Sequence, residues 1–113
     1  MTPLAENVRD YLYKYCLGKA QACPINIVAA WFGTSRRTLE KATEEIRDAG
    51  IPLCSSTIED PVGLYIAENI QDFMPYYNQI SHRIAKMSHR RALAKNTLEK
   101  MALTEGTQLE LFS

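Results

Sequence analysis

Apolar residues recur at the helical period over four stretches of the chain and at the strand period over two. In the first stretch Leu4, Val8, Tyr11, Leu12 and Tyr15 return about every 3.6 residues, with Thr2 as N-cap, Pro3 at the first helical position and Gly18 at the end. Residues 19–23 form a linker with room for a short strand. Pro24 opens a second, short helix with Ile27, Val28 and Phe32 facing inward and Trp31 pointing away. A third helix runs from Ser35 as N-cap to Ala49, closed by Gly50, with Leu39, Ala42 and Ile46 on its apolar stripe. After Gly50 the period drops to two. Ile51, Leu53 and Ser55 alternate with Pro52 and Cys54, and a second alternating run, Leu64, Tyr65, Ile66 and Ala67, follows a turn-rich segment at 57–63, which together predict a β-hairpin.

From Asn69, an N-cap with Asp72 in the first turn, the helical period returns through Ile70, Phe73, Tyr77, Ile80, Ile84, Met87, Ala94, Leu98 and Met101. The spacing alternates threes and fours as in a heptad seam, and Arg91 alone interrupts it. An unbroken helix over 70–102 would measure about 50 Å at roughly 1.5 Å per residue, longer than a domain of this size is wide. Part of it must project or pack on another chain. Either residues 70–80 fold back on the core and leave a solvated basic helix, or two copies pair through Ile84, Met87, Ala94, Leu98 and Met101 into a homodimer presenting a two-fold symmetric surface. Pro75 removes one backbone donor inside this helix and predicts a kink or a delayed start.

The expected fold is therefore mainly α with a small β-hairpin: a body over 1–68, a long helix over 69–103 and a tail over 104–113. The 113 residues, 46% of them hydrophobic, suffice for one compact core. Cys16, Cys23 and Cys54 lack the paired spacing of a zinc site or redox dithiol and are expected as reduced, mostly buried small hydrophobes. The longest apolar run, 27–32, is far too short for a bilayer and no secretion signal is visible, so the expectation is a cytosolic protein with no membrane partner.

Formal charge is zero, with 13 Lys and Arg against 13 Asp and Glu, so any affinity for a polyanion must be local. Residues 51–80 contain no Lys or Arg. Residues 81–100 carry Arg83, Lys86, Arg90, Arg91, Lys95 and Lys100 against Glu99 alone, a basic segment open to three readings: phosphate or RNA, an acidic partner, or a solvated face. The third helix opens with Ser35, Arg36, Arg37, Thr38 and Lys41 on its outer side. Arginines there are placed to grip guanine edges or phosphates of double-stranded DNA, and the hydroxyls to donate to phosphate. Glu40, Glu44, Glu45 and Asp48 on the same helix, with Glu59 and Asp60 in the hairpin loop, oppose that field. Trp31 is placed to cover the long helix or a dimer partner, or to stack on a base.

No arrangement of residues suggests catalysis. His82 and His89 share a helix face with no carboxylate or cysteine beside them to complete a metal site or triad, and no phosphate-binding glycine loop occurs. The chain is expected to be no enzyme and to need no cofactor or metal.

Two resemblances bear on function. Residues 28–39, then 48–53 and Gly63-Leu64-Tyr65-Ile66, resemble the winged helix-turn-helix domains of bacterial and phage regulators, in which the hairpin is the wing beside the recognition helix. That resemblance implies binding of duplex DNA through the third helix and the wing, in transcriptional control or replication. Thr34, where a buried valine is common, and the acidic wing loop depart from the pattern. The end of the tail, Gln108-Leu109-Glu110-Leu111-Phe112, is similar to the motif by which bacterial replication and repair proteins dock on the DNA polymerase sliding clamp. It implies Gln108 in a polar pocket with Leu109, Leu111 and Phe112 as apolar contacts, and a non-enzymatic adaptor as the alternative role.

Overall fold

A computed structural model describes residues 1–106. Over these the chain is mainly helical, with one two-stranded antiparallel hairpin and a long C-terminal helix. One compact unit spans Met1–Tyr77, and a second begins at Asn78.

In the first unit α1 (Pro3–Tyr15) starts where the Thr2 side chain accepts a hydrogen bond from the Ala5 N–H, and it buries Ala5, Val8 and Leu12. A single 3₁₀ turn, Lys19–Gln21, leads to α2 (Ile25–Trp31). The buried stripe of α2 is not the one expected. Val28 and Ala29 are buried, Ile25 and Phe32 pack beside them, and Ile27 is 59% exposed. Counting from Ile25, the helix turns positions three, four and seven residues later onto the core, which carries Ile27 outward. α3 (Arg36–Asp48) buries Leu39, Ala42, Thr43 and Ile46 against α1 and α2. Full burial of side chains such as Leu39 and Ile46 stabilises the body by about 1.5–3 kcal/mol each.

Strands β1 (Leu53–Ser56) and β2 (Gly63–Ile66) pair in the register Leu53 with Ile66 through Ser56 with Gly63. The strand period predicts one wet face, yet every residue of β2 is buried. Its free edge is taken by the α1–α2 connection. The Gly18 N–H donates to the Ile66 carbonyl and the Ile66 N–H to that of Cys16, while Cys23 and Leu64 exchange both of their backbone hydrogen bonds. The linker at 19–23 thus supplies a single strand-like bridge at Cys23 after the 3₁₀ turn.

The same stitching corrects the reading of the cysteines. Cys16 and Cys23 are joined by a disulfide, because attachment of both ends of the connection to β2 holds their Cα atoms 6.1 Å apart, within bridging range. Cys54 is free and buried, as expected. Burial pushes its thiol from the ordinary 9.0 up to about 11, and burial also raises the neighbouring Tyr65 phenol.

Helix α4 (Ile70–Glu105) begins at the expected cap. The Asn69 side chain accepts from the Asp72 N–H, and the Asp72 carboxylate accepts from the N–H of Glu68, the residue before the cap. Pro75 lies inside the helix, which neither starts late nor stops there. The first unit keeps the opening turns of α4: the Tyr65 hydroxyl donates to the Asp72 carbonyl at 2.7 Å, and the Arg47 guanidinium lies 5.1 Å from the Tyr76 ring centre. Ile70, expected on the apolar stripe, is 78% exposed, since the helix enters with its Phe73 and Tyr76 side turned inward. No helix among the described residues is long and apolar enough to cross a membrane.

Candidate nucleic-acid interface

The turn between α2 and α3 fixes where the basic residues stand. At the end of α2 the Gly33 N–H donates to the Ala30 carbonyl and the Thr34 N–H to that of Ala29, and Gly33 takes a φ of 60° that a side chain would resist. This closes α2 in a Schellman turn and releases the chain directly into the cap of α3. Ser35 accepts from the Thr38 N–H at 3.2 Å, and its hydroxyl donates to the Thr38 hydroxyl at 2.9 Å.

Ser35, Arg36, Arg37, Thr38 and Lys41, the residues expected to meet DNA, are all exposed and lie together on the first two turns of α3. The Ser35 and Thr38 hydroxyls are engaged with each other, so the cap competes with any phosphate for them. Arg36 pairs with Glu40 one turn on at 3.0 Å, in full view of solvent. Among the described residues Arg37 and Lys41 form no ion pair, which leaves them as the two unneutralised cations of this surface.

Four basic and four acidic residues on α3 cancel in a sequence count, but the fold sorts them. Glu45 turns back to α1, accepting from the Thr2 N–H and the Thr2 hydroxyl at 3.1 and 2.8 Å and facing the positive end of that helix. Arg47 donates to the Leu53 carbonyl at 3.0 Å and stacks on Tyr76, so it is a strut for the hairpin and takes no part in the outer face. What remains is three of each sign, unevenly placed: Arg36, Arg37 and Lys41 toward the N-terminal end, with Glu40 among them holding Arg36, and Glu44 and Asp48 toward the C-terminal end.

That polarity opposes local helix stability. The N-terminus of a helix carries a partial positive charge, so two arginines in the first turn, with no acidic residue there, cost a few tenths of a kcal/mol apiece where carboxylates would contribute. Departures from local preference are found at functional or strained positions. Arg47, in the last turn, obeys the dipole. Its structural role was signalled by position, whereas the Glu45 link to Thr2 spans residues too distant for any sequence spacing to reveal.

The hairpin loop stands differently from its composition. Glu59 is ion-paired to Lys19, and the Ser56 hydroxyl donates to the Glu59 carbonyl, leaving Asp60 as the uncompensated acid of the loop and Ile58 90% exposed at its tip. Trp31 is 69% exposed and leans on Tyr11, with ring centres 5.8 Å apart; Tyr11 in turn meets Tyr15 and Phe32.

Of the seam residues, Ile84, Met87, Ala94 and Met101 are exposed and Leu98 is half-buried. Gln108, Leu109, Leu111 and Phe112 lie outside the described residues. No group of three or more His, Cys, Asp or Glu gathers as a metal site among the described residues, and His82 and His89 are exposed. Comparison with known proteins finds no matching family model, no matching characterised protein and no matching solved structure.

Proposed function

We propose that the body formed by residues 1–77 is a winged-helix module that binds duplex DNA, with α3 as the recognition helix, in transcriptional control or replication. The observation that carries this reading is the cluster of Arg36, Arg37 and Lys41 at the capped start of α3, held outward on a buried base against the preference of the helix dipole. The order α1, α2, α3, hairpin, with the α1–α2 connection bridged to β2, supports it. Fluorescence anisotropy on a short labelled duplex tests it. Arg37→Ala weakens binding more than Arg36→Ala, because Glu40 already holds Arg36, and each lost phosphate contact lowers the salt slope by about one. Equal binding by the native protein and the double variant removes the function from this face.

A second reading rests on the tail. The match of residues 108–112 to Gln-Leu-x-Leu-Phe supports an adaptor that docks on a bacterial sliding clamp, a role compatible with DNA binding by the body. Capture on an immobilised clamp is lost when Leu111 and Phe112 become alanine; failure of the intact protein to bind ends this reading.

A further inference from the structure

The distal part of α4 displays a stripe with threes-and-fours spacing, Ile84, Met87, Arg91, Ala94, Leu98 and Met101, exposed except at the half-buried Leu98, beside which Ala102 is buried. Ile84 and Met87 are each about three-fifths exposed (61% and 62%), and together with Arg83, Ser88 and Arg91 they line one recess on this face. Exposed apolar residues at this spacing are the requirement of a partner helix. The charges beside them decide which one.

In heptad terms Ile84, Arg91 and Leu98 occupy the first core position and Met87, Ala94 and Met101 the second. Arg83, Arg90 and Thr97 then flank the core on one side, and Ser88, Lys95 and Ala102 on the other. A second copy in parallel would set Arg91 against Arg91 inside the seam and Arg90 against Lys95 across it. An antiparallel copy would bring flanking positions of the same side together, again with no acid available, since Glu99 and Glu105 occupy none of the flanking sites. Like charges at such positions reject a pairing, and opposite charges select it. A nucleic acid would satisfy the arginines but leave Ile84, Met87 and Met101 in water. Among the described residues, none of Arg83, Arg90, Arg91 and Lys95 has an ion pair.

We propose that this stripe is a docking site for an amphipathic helix of a different protein, one whose apolar seam is flanked by glutamate or aspartate and which presents an acid opposite Arg91. The acidic flanks answer Arg83, Arg90 and Lys95, and the apolar seam covers Ile84, Met87, Leu98 and Met101. The docking site is built from residues of α4 and does not rest on the DNA-binding reading of α3.

The test uses the full chain and a synthetic amphipathic peptide of matching heptad span, with leucine and isoleucine in its seam, glutamate at its flanks and glutamate opposite Arg91. Titration calorimetry should show one-to-one binding, weakened at least about tenfold by Ile84→Ser with Met87→Ser and by Arg90→Glu with Lys95→Glu. The charge-reversed protein should instead bind a lysine-flanked version of the peptide, a gain that loss of folding cannot mimic. Circular dichroism of each variant establishes that the helix persists. The proposal is overturned if a scrambled peptide of equal charge binds as well, or if neither peptide binds. It is likewise overturned if sedimentation finds a dimer of the native chain abolished by Ile84→Ser with Met87→Ser, or if a duplex or RNA binds through these arginines irrespective of Ile84 and Met87.

Discussion

The stripe of α3 and the stripe of distal α4 have the same helical spacing and opposite fates. Leu39, Ala42 and Ile46 are sealed beneath α1 and α2, whereas Ile84, Met87 and Met101 stand largely in water. Their charged residues differ in the same sense. Half of those of α3 are held in pairs and struts, Arg36 to Glu40, Glu45 to Thr2 and Arg47 to Leu53 and Tyr76, while Arg37 and Lys41 form no ion pair among the described residues. Those of α4 beyond Tyr77 are almost all basic and stand without ion pairs among the described residues. α3 buries one face and keeps a charged face outside, whereas distal α4 exposes Ile84, Met87 and Met101 beside its basic residues, the arrangement on which the docking proposal rests.

The contrast breaks first in the core. Leu39→Ala should destabilise the body by about 2–5 kcal/mol, read as a lower urea midpoint, while Ile84→Ala should leave that midpoint within roughly 0.5 kcal/mol of the native value. Equal effects would mean that the α4 stripe is already covered. Gly63→Ala should cost about 3 kcal/mol or more in the same assay, because the added Cβ would overlap the Cys23 carbonyl and because Gly63 sits at a φ of 141°.

A pH series sharpens the difference between buried and exposed groups. The unfolded chain releases the Cys54 proton near its ordinary 9.0, whereas the folded one holds it to about 11. The unfolded state therefore binds fewer protons in that window. Stability is unaffected by this group below about pH 9 and falls as pH rises through 11, with Tyr65 adding to the loss at still higher pH. Unfolding midpoints followed from pH 8 to pH 11 should decline less steeply in Cys54→Ala than in the native chain. A modest effect is expected of Ser35→Ala, which removes the cap of α3 and should cost about 1 kcal/mol by thermal melting.

The elements themselves were legible because their signals are local. Thr2, Ser35 and Asn69 cap the helices they were expected to cap, and the change of period after Gly50 marks the hairpin. What escaped was set by neighbours distant in sequence. Ile27 and Ala29 exchange roles because the direction from which α1 and α3 approach α2 decides which of two adjacent apolar faces is covered. The second face of β2 is met by the opening of α4, whose Asp72 carbonyl accepts from the Tyr65 hydroxyl, and the Cys16–Cys23 bridge follows from the return of the α1–α2 connection along the strand edge. In the candidate site the exposed residues were legible from the helical period; the division of α3 into a basic and an acidic end was not, since it depends on Glu45 and Arg47 being drawn away to Thr2 and Leu53.

The fit of Gly63 against Cys23 has a consequence for how such a hairpin can change. Cys23 and Leu64 bond both ways at this point, and the backbone beside them leaves room for a hydrogen atom and nothing larger. Sliding β2 by two residues would thrust the ring of Tyr65 into that gap, so the ladder admits a single alignment. Insertions and deletions can therefore accumulate at residues 57–62, altering how far the ribbon reaches, while the four paired positions behind them stay fixed in length.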